Sequence, residues 1–290
     1  MDSTVPTDED AIVYLPITSA ATLRNCSGLD VGGDKDTIFI TSYPKSGTTW
    51  MQGIVYQILS QGDESFHHIS DYSPFYEADR TWDGDRVAEK YAGSHAALSS
   101  RIFNTHLRWE IMPKSAGGPD KPARCKYIYV YRDGKDACTS FYHHLSSQAD
   151  SDPFEGTFDE FVNLWLQNKI PFGSWAGHLK SWIGAASDPN NNILVVRYED
   201  MLADIEGAVV RISDFLGKNS DLPYLRSTIL PHISIDYMRA HREQYDPVSV
   251  SWKDGFQFIR KGVAGDHKNS FTSEHDRRYD AMLQKEFSGG

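Results

Sequence analysis

One short segment combines a cation, a glycine and two hydroxyls directly before an apolar run: Thr41-Ser-Tyr-Pro-Lys45-Ser46-Gly47-Thr48-Thr49-Trp50. It joins a strand-like stretch, residues 37–42, to a helical stretch, residues 47–60. Gly47 permits a tight turn. The unpaired amides of residues 46–49, at a helix N-terminus, make an anion site. Lys45 adds positive charge, and Thr48 and Thr49 add donors. A capped helix start, with Ser46 or Thr48 as the cap, explains the hydroxyls. It does not explain the lysine before them or Trp50 in the first turn. The pattern is not the GxxxxGK[ST] loop, because the lysine precedes a single glycine.

A second candidate is Asn104-Thr105-His106, which follows a strand-like run at 101–105. His106 then falls at a C-terminal strand edge, where ligands lie in open α/β sheets. An imidazole near its ordinary pKa suits removal of a hydroxyl proton, although a lone histidine is more often structural. Arg132 sits at the end of the apolar run 127–131, with Ser140 eight residues on. Read singly, Arg132 is a surface ion pair with Asp133 or Asp136, and Arg260 is a solvated charge. An arginine fork is nevertheless well shaped for phosphate. His143 and His144 are adjacent and poorly placed to share an ion, and no HExxH is present, so no metal is expected.

The elements that must position these groups alternate. Strands are expected at 37–42, 101–105, 127–131 and 192–197, and helices at 47–60, about 135–145, and 205–216 with Gly217 as C-cap. That alternation predicts an α/β fold: a single domain with a central parallel β-sheet flanked by helices, and a P-loop-like anion loop. Residues 114–124 read as a loop, and 188–192 as a turn. From about Asp246 the chain has little periodicity and is expected to be loop-rich and functional. One domain is expected over 1–290, with its core at about 35–270.

The 290 residues include 29 Lys plus Arg and 40 Asp plus Glu, a net charge of −11. Such an acidic chain is not built to coat nucleic acid. A local basic pocket inside it is still compatible with a small anion. Cys26, Cys125 and Cys138 are odd in number and widely spaced, which argues against a disulfide or zinc scaffold. The acidic first ten residues lack an apolar core of signal-peptide type. No apolar run is long enough to span a bilayer. A cytoplasmic protein without a membrane partner is expected.

The segment YPKSGTTW is identical to the 5′-phosphosulfate loop signature of the cytosolic sulfotransferases, and the resemblance extends over residues 41–269. Tyr131-Arg132 through Ser140 resembles that family's 3′-phosphate segment. Pro171-Phe-Gly-Ser-Trp-Ala-Gly-His178 resembles PxGSWxxH, and Tyr198-Glu-Asp200 resembles YED. Arg260-Lys-Gly-Val-Ala-Gly-Asp-His267-Lys-Asn269 resembles RKGxxGDWKN, with His267 where tryptophan is usual.

The resemblance implies 3′-phosphoadenosine 5′-phosphosulfate (PAPS) as donor, 3′-phosphoadenosine 5′-phosphate (PAP) as product, and no metal. It implies that Lys45, Ser46, Gly47, Thr48 and Thr49 hold the 5′ end. Arg132, Ser140 and Arg260 would hold the 3′-phosphate, with Lys261 and Gly262 closing over it. Trp50 and Tyr198 would contact the base, although Trp50 could equally be core. His106 becomes the general base, with Lys45 and Ser140 also catalytic, in an in-line transfer to a hydroxyl or amine.

The acceptor side is implied at Phe75, Tyr76, His106, Phe141 and Tyr142, with Trp82 nearby, which suits an aromatic or polycyclic alcohol or amine. Glu77, Asp79, Asp83 and Asp85 suit either a cationic acceptor or, more commonly, a solvated face. Two departures stand out. Asn104 replaces a lysine common in the family, removing charge near the transferring group. In the family's KxxxTVxxxE dimer segment, Lys268 and Thr272 remain, but Ser273 and Arg277 replace the valine and glutamate. A monomer or a non-standard dimer is therefore expected. Two other readings stand beside the enzyme. One is a P-loop nucleotide kinase, with Asp133 as a Mg²⁺ ligand. The other is a non-catalytic binder of the nucleotide, motivated by Asn104.

Overall fold

The computed structural model describes residues 12–32, 36–114, 125–150 and 153–288. Four strands form its main sheet: β1 (Asp36–Ser42), β2 (Ser100–Thr105), β3 (Cys125–Tyr131) and β4 (Ile193–Arg197). Their order is β2-β1-β3-β4, and every neighbouring pair is parallel. The chain leaves β1 toward β2 on one side and crosses to β3 on the other. The strand order therefore reverses between β1 and β3, and a crevice opens at their C-terminal ends. In register, Thr41 lies level with Thr105 and Tyr129, so the loops after three strands emerge side by side.

Eleven α-helices surround the sheet among the described residues. They are α1 (Ala20–Gly28), α2 (Thr48–Ser60), α3 (Ala92–Ala97), α4 (Gly134–Ser146), α5 (Phe158–Leu166) and α6 (Trp175–Ala186), followed by α7 (Tyr198–Ala203), α8 (Ile205–Leu216), α9 (Leu222–Thr228), α10 (Ile235–Ala240) and α11 (Ser273–Phe287). Strand alternation decides the layers. Ile38, Ile40, Ile128 and Val130 face Ile54 and Val55 of α2 and Val209 and Ile212 of α8. Phe39, Phe103, Tyr127 and Tyr129 face the other way, toward Trp182 of α6. Phe39 stacks between Phe103 and Tyr127, with centroids 5.5 and 5.4 Å away. Each such buried side chain contributes about 1.5–3 kcal/mol. No helix among the described residues is long and apolar enough to cross a membrane.

The expected strands and helices are found, with ends moved by one or two residues. Gly217 closes α8 in the left-handed conformation, φ 66°. The turn before β4 is a 3-10 turn at Pro189–Asn191, with Asp188 capping Asn190. Residues 1–11 and 115–124 lie outside the described residues, so the acidic N-terminus and all but the first residue of the 114–124 loop do too. The loop-rich reading from Asp246 needs one correction. Residues 246–265 are irregular, but Ser273–Phe287 is a helix of 15 residues. Its apolar stripe is only Tyr279, Met282 and Leu283, packed on the cluster formed by α4, α5 and α6. Charged residues cover the rest of α11, which hides its period.

Candidate active site

The loop after β1 is shaped by its backbone. Lys45 has φ 66° and Gly47 φ 106°. A Cβ on Gly47 would lie 2.7 Å from the Tyr198 ring, so the position needs glycine for both conformation and space. Gly47 is the N-cap of α2 and makes no side-chain capping bond. The capped-start reading of Ser46 or Thr48 is thereby replaced. Thr48 Oγ1 is bonded to Ser42 Oγ at 2.5 Å, and the buried Ser46 hydroxyl has no partner. The first amides of α2 are left for an anion.

Lys45 and Thr48 to Trp50 line a cavity of about 650 Å³, together with Gly47. The same cavity is lined by Arg132, Ser140, Tyr198, Arg260, Lys261 and Gly262, so the structure brings both expected anion sites into one space. Lys45 is pushed down to about 7 by burial and by the charges of Arg132 and Arg260. A lysine so placed regains its charge when an anion arrives.

Arg132 lies over the Tyr198 ring, 4.7 Å from its centroid. Its Nη2 donates to Val263 O at 2.9 Å, while its buried Nε has no partner. Arg260 and Lys261 both bond Asp266. Burial opposes charge on Asp266, but bonds from Lys261 and Arg260 outweigh it and hold the carboxyl below the usual range. Arg260 is therefore an ion-paired side chain rather than a solvated one. Arg239 holds the same segment by donating to the carbonyls of Arg260 and Lys261. Gly262 turns at φ 65°, and a Cβ there would meet Ile235 at 2.2 Å. Trp50 donates Nε1–H to Ile233 O at 2.8 Å and packs edge-on to Tyr198 while lining the cavity, so it serves core and site together.

His106 emerges from β2 beside this loop. Its Nδ1 is 2.8 Å from Ser42 O. A carbonyl can only accept, so Nδ1 carries the proton and Nε2 keeps its lone pair. The backbone N–H of His106 donates to Glu77 at 2.7 Å. Its carbonyl accepts from His178 Nε2 at 3.2 Å, and His178 Nδ1 accepts from the Tyr129 hydroxyl. Burial, aided by the Lys45 charge, pushes His106 down to about 4, against the bond to Ser42. The imidazole is neutral near pH 7.

Several expected residues move. Tyr76 is fully buried, donating its hydroxyl to Cys26 O, and Trp82 donates to Tyr76 O; both belong to the core and not to the cavity. Tyr142 packs on Phe154, Phe158 and Phe161, also away from it. Phe75 and Phe141 do line it. Glu77 is not part of a solvated acidic face: it is fully buried, and burial pushes its carboxyl up to about 7 against the His106 amide bond. Asp79, Asp83 and Asp85 are exposed.

Asn104 lines the cavity and donates Nδ2 to Ser73 O at 2.6 Å. His178, Phe172 and His144 were missed as site groups. His178 was visible only as the last letter of its motif. Phe172 packs on His106 at 5.1 Å, in a left-handed turn no motif marks. Asp133, Asp136 and His267 have ligating atoms within 4.8 Å of one another. Their capacity is spent internally. Asp133 caps α4, and Asp136 accepts from the amides of Gly265 and His267 and bonds His267 Nδ1.

Comparison with known proteins agrees with this arrangement. Residues 35–290 match the protein-family model described as a sulfotransferase domain. The chain is 34% identical to Sulfotransferase 1E1 of Cavia porcellus over 262 residues, 88% of this chain and 84% of that protein. It is 33% identical to Sulfotransferase 2B1 of Mus musculus over 262 residues, 88% and 72% of the two chains. Among solved structures it resembles mouse sulfotransferase SULT7A1 complexed with PAP, at TM-score 0.72 and 25% identity, covering 96% and 92% of the chains. Retinol dehydratase in a complex with retinol and PAP shares the fold at TM-score 0.68 and 22% identity, over 94% and 87% of the chains.

Proposed function

The chain belongs to the sulfotransferase-domain family, and from that premise we infer that it moves a sulfuryl group from PAPS to a hydroxyl or amine of a small-molecule acceptor. The observation that carries this reading is the meeting of an uncapped helix start, Lys45 and an imidazole with a free Nε2 in one cavity. The residues fit the nucleotide. The Ser46 hydroxyl and Arg132 Nε, buried with no protein partner, belong to the two segments that would hold its phosphates.

PAPS, when bound, supplies an activated sulfuryl group with phosphate as its leaving group. The chain supplies the rest. Lys45, Ser46, Gly47, Thr48 and Thr49 hold the 5′ end, and their donors oppose negative charge as it grows on the leaving oxygen. Arg132, Ser140 and Arg260, with Lys261 and Gly262, hold the 3′-phosphate; Trp50 and Tyr198 flank the base. Arg260 and Lys261 exchange part of their pairing with Asp266 for phosphate. His106 Nε2 takes the acceptor's proton. Ser42 keeps the tautomer, and Glu77 and His178 fix the backbone that aims the ring. Ser140 positions the nucleotide beside Lys45.

The acceptor in this proposal is an aromatic or polycyclic alcohol or amine seated between Phe75, Phe141 and Phe172. The proposal also takes residues 1–290 as one domain of a cytoplasmic protein that needs no metal. It is monomeric or dimerises outside residues 268–277, where Thr272 is spent capping α11 and Arg277 pairs with Glu274. The kinase alternative is not favoured: the match to the sulfotransferase-domain model runs over residues 35–290, and Asp133 Oδ1 serves as the α4 cap.

Incubation with PAPS and a panel of phenols should give sulfated product. PAP should raise the melting temperature more than ATP with Mg²⁺ does. A larger shift with ATP, and no product from any acceptor, would remove the sulfotransferase reading.

A further inference from the structure

His144 stands one helical turn beyond Ser140 on α4, so it faces the same side of the helix. Its Nδ1 lies 3.4 Å from Lys45 Nζ. Once a bound phosphate has restored the Lys45 charge, its ammonium has no lone pair, so in that state the imidazole nitrogen accepts and the ring's proton sits on Nε2. Burial and the Lys45 charge push the pKa of His144 well below the usual histidine value, which keeps the ring neutral with a single donor. That Nε2–H meets no acceptor among the described residues.

The ring is held by aromatic faces. Trp252 lies edge-on at 5.0 Å and Phe258 at 5.9 Å, and Lys45 Nζ sits 3.9 Å over the Phe258 centroid. His144 lines the same cavity as His106 and Phe75. Asn104 also lines the cavity, with one of its two amide N–H groups given to Ser73 O. The acceptor end therefore has an apolar wall, a base, and a fixed donor left unspent. A donor held in an aromatic frame is costly when unmatched, so a ligand that satisfies it is favoured over one that does not.

We propose that His144 is a specificity-determining residue whose Nε2–H binds a second oxygen on the acceptor, other than the hydroxyl that receives the sulfuryl group. The acceptor class narrows to ring alcohols carrying an additional ether, carbonyl or hydroxyl oxygen. This inference rests on the sulfotransferase reading above.

The test uses the full-length protein saturated with PAP and a series of naphthols. Each methoxy isomer is compared with the ethyl naphthol of the same shape. Binding is read by calorimetry, and kcat/KM is read separately with PAPS. At least one methoxy position should be preferred about tenfold or more. His144→Phe should reduce that preference to within about twofold, and His144→Gln, whose amide can offer a donor near Nε2, should keep part of it. Equal binding of methoxy and ethyl partners at every position would overturn the proposal. So would a preference that survives His144→Phe. Should the Phe variant fail to fold, the wild-type series and the Gln variant decide. Absence of turnover with all naphthols would count against the sulfotransferase reading, while the calorimetric ranking would still judge His144.

Discussion

The two halves of the cavity are built by different means. The half proposed for the nucleotide is made of residues that directly follow strands: the loop after β1, Arg132 after β3 and Tyr198 after β4. Lys45 and Gly47 are both left-handed there, and any side chain at Gly47 would collide with Tyr198. The acceptor half is made of side chains from separate segments, Phe75, Phe141, His144, Phe172 and the 247–259 stretch. The lesson is that an anion must be met by main-chain amides in a fixed conformation. That requirement reaches the sequence as a contiguous motif. An apolar acceptor needs only shape, which distant residues can supply in many combinations.

His106 stands on the border between the halves and gives the largest effect. His106→Ala should lower kcat by about 10²–10⁴-fold, the usual cost of losing a general base. PAP affinity should change little, because the imidazole's free nitrogen faces the acceptor side. Stopped-flow turnover and calorimetry on the same variant read the two halves separately. A variant that loses PAP binding as well would show that the halves are not independent.

Arg132→Ala attacks the nucleotide half. Loss of a charged hydrogen-bond set should weaken PAP by about 1.5–3 kcal/mol, or roughly 10- to 150-fold. The ranking of acceptors should be unchanged. Calorimetry with unaltered PAP affinity would remove Arg132 from the phosphate site.

The pH dependence of PAP binding sharpens the contrast further. In the free protein Lys45 is held down to about 7, first by burial and then by Arg132 and Arg260. A bound phosphate favours the charged form and raises that pKa. Binding above pH 7 must then take up a proton. Affinity should fall as pH rises past 7, by up to about tenfold per unit. Below 7 the lysine is already charged and this dependence disappears. Calorimetry in buffers of different ionisation enthalpy detects the proton directly. Lys45→Arg, which stays charged, should abolish the dependence.

These contrasts explain what could be read in advance. The parallel sheet and the loop at 41–50 were legible because strand periodicity and phosphate chemistry both act over a few adjacent residues, whereas Arg132, His106 and Tyr198 were singled out through the family resemblance, and all three line the one cavity. Tyr76, Tyr142 and Trp82 were misplaced because an aromatic letter does not say which side of a turn it occupies. Tyr76 and Phe75 are neighbours, yet one is core and the other lines the cavity. Glu77 looked like one of a run of acids, but Asp79, Asp83 and Asp85 are exposed while Glu77 is buried and bonded to the His106 amide. Helix α11 was missed because its buried stripe is three residues wide in a charged sequence.

The smallest effect is expected at Asn104, on the wall shared by both halves. Its carboxamide donates to Ser73 O, and its backbone pairs with Pro74 and Tyr76, binding the 73–77 segment to the edge of β2. That segment carries Phe75 for the acceptor and Glu77 for the His106 amide. Asn104→Lys adds the charge that relatives of this motif often have, but it removes one of the two donors to Ser73 O, leaving Gln52 Nε2 alone there, and places a longer side chain at the backbone bridge to Phe75. If the cavity has been reshaped around the amide, turnover of a simple phenol should stay within about twofold. Stability should fall by about 0.5–1.5 kcal/mol, the net contribution of one hydrogen bond. Such a loss lowers the melting temperature by about 2–4 °C per kcal/mol in a chain of this size. A several-fold rise in kcat without loss of stability would mean the opposite: that charge at residue 104 limits the reaction, and that the acceptor wall contributes electrostatics as well as shape.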